Sequence, residues 1–185
     1  MRTRSLSTQL NQSLWRSLAA IVIFAAITAL TARITIPLPF TPVPITLQTL
    51  AVVLSGLVLG ARSGALAQLT YLGFLVVGLP FDASGVGQAA FFGPTAGYLI
   101  GFVPAAFVAG WLAERFASQS WWGNFIAAVV GALVIYLVGA PWLAVWLNSW
   151  PKAWAGGVAP FILLDLGKAA IAAAVAESGQ LLLRR

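Results

Sequence analysis

Apolar residues fall into six long runs, about 17–35, 44–60, 64–80, 94–113, 122–147 and 158–183, divided by stretches where polar, proline or glycine residues gather. A helix needs about 20 such residues to cross the hydrocarbon core of a bilayer. Helices are the expected form because the bilayer offers backbone groups no water partner. Runs shorter or longer than this predict tilt or interfacial extension. Two-residue alternation is weak and Ala, Leu and Gly are abundant, which argues against a membrane barrel. The pattern predicts an all-α membrane protein of six transmembrane helices, a single integral membrane domain over 1–185 with no soluble domain and no clear internal repeat.

The links fall into two kinds. "ARS" at 61–63 and "ERFASQSW" at 114–121 are brief and predict antiparallel helical hairpins. The others are longer. Residues 34–46 carry Pro37, Pro39, Pro42 and Pro44, each with a fixed φ and no donor N–H, so a stiff, non-helical loop is expected. Residues 78–99 mix Gly with aromatic residues and lead to a helix start near "GPT", with Pro94 in its first turn.

Composition agrees with a membrane protein: 61% of residues are hydrophobic and 8% charged, against roughly 25% charged in soluble domains. The formal charge of +6 comes from residues scattered singly at run ends, with no basic stripe or stacking platform for nucleic acid. It reads better as topology. Arg2, Arg4, Arg16, Arg62, Arg115, Arg184 and Arg185 fall on one side against Arg33 and Lys152 on the other, which predicts both termini cytoplasmic and 1–16 as a cytoplasmic segment. Cleavage after "TALTA" as a signal peptide would leave five spans and lose that agreement, so the first run is expected to be retained.

Asp165 and Lys168 interrupt the sixth run. Each costs about 2.5–3.5 kcal/mol near a helix centre on insertion scales, so such residues are rare unless paired, solvated or used. Three residues apart, they share a helix face. With the span starting at Val158, Asp165 lies roughly 10 Å from its outer end. Two roles stay open: a couple that neutralises itself or registers helices, or a binding pair in which Lys168 meets an anionic group and Asp165 accepts ligand N–H donors. Thr46, Gln48, Thr49, Gln88, Thr95 and Tyr98 share the same level; each taken singly fits a cap or a backbone contact. Trp121, Trp122, Trp142, Trp146, Trp150 and Trp154 are expected to be interfacial anchors, and Glu114 and Arg115 a solvated pair. Ala25 and Ala29 allow a close helix contact, most simply within the chain.

Enzyme chemistry has little footing. There is no Cys or His, no Ser-His-Asp set, no HExxH and no phosphate-cradling GxxxxGK[ST]. No catalytic residue, metal site or cofactor is expected, and any ATP-derived energy must come from a partner.

The stretch "IPLPFTPVPITLQTLAVVLSGLVLGARSGALAQLTYLGFLVVGLP", followed by "FFGPTAGYLIGF" and "DLGK", resembles the BioY family, the biotin-specific S components of energy-coupling factor (ECF) transporters. The resemblance implies an S-component bundle of six helices in a bacterial-type plasma membrane, surrounded by lipid, capturing biotin from outside. Loops 34–46 and 80–93 would be lids. Partners would be a transmembrane coupling subunit and two ATPases, with a homo-oligomer left open. In the family an Asp and Lys motif contacts ligand and matches Asp165 and Lys168; Asp165 would accept from the ureido group and Lys168 attract the carboxylate. Phe40, Phe81, Phe91, Phe92 and Tyr98 are candidates for apolar walls, and Tyr98, Thr95, Gln88 and Phe40 complete the expected binding set. The alternatives are an S component for another vitamin, or a structural membrane subunit without a small-molecule ligand.

Overall fold

The computed structural model describes residues 6–116 and 120–183. Arg2, Arg4, Arg184 and Arg185, with residues 117–119 of the second short link, lie outside the described residues.

The chain forms α1 (Leu6–Ala32), a two-stranded ribbon of β1 (Thr35–Ile36) and β2 (Ile45–Thr46), α2 (Gln48–Val76), a short 3₁₀ helix (Gly87–Phe92), α3 (Ala96–Phe116), α4 (Trp121–Leu147), α5 (Trp150–Gly157) and α6 (Ile162–Leu183). Four of these elements are long and apolar enough to cross a membrane, five when α5 and α6, bent by 44° at their junction, count as one. The chain is therefore a mostly helical, multi-pass membrane protein.

α1 buries Ile21, Ala25, Thr28, Ala29 and Ala32, one helical stripe, while Val22, Ile23 and Leu30 face outward. Ala25 and Ala29 make the expected intramolecular contact, with α1 packed on α2. In the proline loop, Thr35 pairs with Thr46 and Ile36 with Ile45, antiparallel. Pro37 and Pro44 bound this ladder on its loop side, as residues without a donor N–H must.

α2 is not straight. At Gly60 φ is 82° and ψ 175°, and the arms 48–59 and 61–76 fold back on each other. Gln68 Nε2 donates to Ser55 Oγ at 2.9 Å and Gln48 Nε2 to the Tyr71 hydroxyl at 2.7 Å. A straight helix would separate those pairs by about 20 and 35 Å. The predicted link 61–63 is helical, and the reversal falls on Gly60. Only glycine suits this position: its φ is left-handed, and a Cβ would lie 2.2 Å from Glu114 Oε1. That oxygen accepts the Ala61 N–H at 2.9 Å, so Glu114 caps the second arm rather than forming a solvated pair with Arg115. Arg115 lies over the Trp111 ring.

At the other end of the bundle, Thr95 accepts the first helical N–H groups of α3 through its carbonyl, so Pro94 stands outside that helix rather than in its first turn. Ser120 Oγ caps α4 and Ser149 Oγ caps α5. The sixth apolar run begins in a turn, 158–161, that separates α5 from α6. Because α6 starts at Ile162 rather than Val158, Asp165 sits in its first turn, where the helix dipole favours a carboxylate.

Candidate functional site

A partly open cavity lies at the loop end of the bundle. Asp165 and Lys168 line it from α6, Tyr136 from α4, Tyr98 and Phe102 from α3, Thr95 from the turn just before α3, and Asp82 and Ser84 from the loop after α2.

Asp165 and Lys168 are both buried. The Lys168 ammonium donates to Asp165 Oδ1 at 2.6 Å, and the Tyr136 hydroxyl donates to Asp165 Oδ2. The couple therefore neutralises itself and also faces a cavity. Pairing offsets the cost of desolvating both charges. Chemical capacity remains: each carboxylate oxygen has a second lone pair, and an ammonium has three donors. The couple presents acceptor and donor side by side with no net charge of its own.

Tyr98 is held from behind. Its hydroxyl donates to the Gly157 carbonyl at 2.9 Å, and a Cβ on Gly139 or Gly157 would collide with its ring or hydroxyl at 2.3 and 2.2 Å. With its donor engaged, Tyr98 offers the cavity an apolar ring face.

The loops are tied to the frame. Asp82 is buried, with Oδ2 accepting the Ser84 N–H at 2.9 Å and Oδ1 the Gly87 N–H at 2.7 Å; these backbone donors stabilise its charge and curl the loop. The Tyr71 hydroxyl donates to the Phe81 carbonyl at 3.2 Å, and Trp142 Nε1 to the Gly93 carbonyl at 2.9 Å. Across the mouth, Thr41 Oγ1 donates to the Gly156 carbonyl at 2.7 Å, joining the proline loop to α5.

Of the expected binding residues, Asp165, Lys168, Tyr98 and Thr95 meet at this cavity, whereas Gln88 and Phe40 do not line it. Gln88 is exposed on the 3₁₀ helix. Phe40 is 64% exposed and lines a shallow groove with Pro42, Leu147 and Lys152. Phe81 packs edge-on against Phe74, Phe91 rests on the core, and Phe92 points outward. Tyr136, Asp82 and Phe102 are additional cavity residues. The Asp-Ala-Ser-Gly turn signal of 82–85 marks Asp82 in the sequence; Tyr136 and Phe102 are indistinguishable there from other aromatic residues in apolar runs.

The BioY family model matches residues 2–185. The chain belongs to the BioY family. Among its relatives are the probable biotin transporter BioY of Lysinibacillus sphaericus, 41% identical over 91% of this chain and 88% of its own, the biotin transporter BioY of Rhizobium etli, 42% identical over 85% and 89%, and that of Thermotoga maritima, 41% identical over 87% and 94%. The crystal structure of the S component for biotin from an ECF-type ABC transporter superposes with a TM-score of 0.83 and 25% identity, covering 96% of this chain and 95% of that one. BioY S components bind substrate rather than transform it.

Proposed function

We propose that this chain is a biotin-capture S component that binds the vitamin in the Asp165–Lys168 cavity and passes it inward. The observation that carries the reading is a buried acid–base couple opening into a cavity beneath two tethered loops, in a chain whose relatives are named biotin transporters.

In this reading the two arms of α2 are separate crossings, giving six in all in a bacterial-type plasma membrane, with both termini cytoplasmic. Loops 34–46 and 80–93 act as lids on the outer face. A transmembrane coupling subunit and two ATPases supply the energy, since the chain carries no phosphate-cradling motif.

Biotin has a ureido group at one end and a carboxylate at the other, separated by its bicycle and tail. A couple 2.6 Å across is too compact to hold both ends. A ligand carboxylate placed against it would also face the Asp165 charge. The better match is the neutral ureido group: Asp165 accepts its N–H donors, Lys168 donates to its carbonyl, and Tyr98 and Phe102 cover the bicycle. The carboxylate tail then points to the mouth. This replaces the expectation that Lys168 takes the carboxylate.

The loops follow ligand by differential affinity: contacts made only when the mouth is shut favour the shut state. The test is a competition series on purified protein. Biotin methyl ester should compete within a few-fold of biotin, and an analogue with the ureido group replaced by a cyclic ether should lose at least tenfold. Equal loss for both, or no biotin binding, defeats the reading.

A further inference from the structure

A second cavity has no part in this account. It is an open groove on the side of the bundle, between α4 and the α5–α6 bend. We propose that this groove holds one acyl chain of a bilayer phospholipid. It runs from Val129 to Pro141 along α4, about 18 Å of helix. Leu133, Leu137, Ala140 and Ile162 form its walls, and Trp150 and Trp154 stand at its loop end. α5 and α6, bent by 44° at their junction, both pack on α4, and the groove lies along this seam.

The groove is continuous with the face that a bilayer covers: Leu137, Trp150 and Trp154 are 73%, 62% and 60% exposed, as lipid-facing and interfacial residues should be. Its lining selects the occupant. Apart from Tyr136 and Asp165, whose polar atoms are bonded to each other, the groove is lined by aliphatic residues with Pro141, Trp150 and Trp154, so it offers van der Waals contact to a hydrocarbon chain along its length.

The floor supplies an independent reason for filling the groove. Tyr136 and Asp165 line both this groove and the polar cavity, so their hydrogen bond is part of the wall between ligand site and membrane. Water standing in the groove would compete for that bond and weaken it. Hydrocarbon in the same space keeps the carboxylate facing the cavity alone.

The test uses full-length protein in mixed micelles, titrated with a phospholipid carrying a photoreactive group midway along one acyl chain. Cross-linked peptides are quantified by mass spectrometry, with Leu30 on α1, 69% exposed, as the reference for unspecific lipid contact. Labelling at Leu133, Leu137 and Ile162 should saturate at about one phospholipid per protein, while labelling around Leu30 keeps rising. Leu137→Trp, at a surface position where folding is not at risk, should reduce groove labelling at Leu133 and Ile162 at least threefold and leave Leu30 unchanged. Groove labelling that only parallels Leu30, or is indifferent to Leu137→Trp, overturns the proposal. The chain has no cysteine, so Leu137→Cys also reports on a second copy: efficient disulfide dimers in liposomes would overturn it, and monomers are expected.

Discussion

The Tyr136 hydroxyl, on α4, donates to Asp165 Oδ2, on α6, while Lys168 holds the other carboxylate oxygen. One carboxylate is thereby fixed from two helices and aimed into the cavity. Tyr136→Phe keeps the ring and removes the donor, at about 1.5–3 kcal/mol for a hydrogen bond to a charged group. Biotin affinity should fall at least about tenfold by calorimetric titration. In a double-mutant cycle with Asp165→Asn, the Tyr136 effect should largely vanish, because the pair acts as a unit; full additivity would separate Tyr136 from the couple.

Lys168→Ala leaves the Asp165 carboxylate buried without its cation. Breaking a buried pair costs about 3–5 kcal/mol, whereas replacing both partners by apolar residues is often neutral or stabilising. Lys168→Ala should therefore melt well below wild type, and Asp165→Leu with Lys168→Leu should melt near it. The double variant should still lose biotin binding. Retained binding in that protein would make the couple purely structural.

Gly60 allows the reversal of α2. Gly60→Ala forces a side chain into left-handed φ and against Glu114 Oε1, a strain of about 1–2 kcal/mol. Glu114→Ala removes the cap on Ala61, typically about 1 kcal/mol. Both should lower the thermal midpoint of the purified protein while leaving biotin affinity unchanged, since neither residue lines the cavity. A loss of affinity without loss of stability would contradict this division.

Thr41 latches the proline loop to α5 through the Gly156 carbonyl. Thr41→Val keeps the shape and removes the donor. Biotin should dissociate about fivefold faster by stopped-flow chase, for a bond of about 1 kcal/mol, with little change in association. A slower association with unchanged dissociation would mean that the contact does not hold the shut state.

Much of this architecture was legible in the apolar runs, because a bilayer demands long helices and the runs provide them. The positions of the breaks were less so. Ala61-Arg62-Ser63 reads as the link, yet the left-handed Gly60 before it completes the turn and the polar residues enter the next helix. The sixth run reads as helical from Val158, but residues 158–161 form the turn after the capped short helix α5, since Ser149 and the Gly156-Gly157 pair act through local backbone geometry that hydropathy does not register. Asp165 and Lys168 could be paired from helical spacing alone. Tyr136, 29 residues from Asp165, could not, because only packing decides which helices meet. Phe40 and Gln88 were placed by loop position, and loops have no period that tells which way a side chain points.

The most direct test is calorimetric titration of biotin into purified wild-type protein and into Asp165→Asn, which keeps the shape and removes the charge. The account predicts saturable one-to-one binding for wild type and at least tenfold weaker binding for the variant, as expected for losing a charged acceptor worth about 1.5–3 kcal/mol. Equal affinities for the two proteins would contradict it.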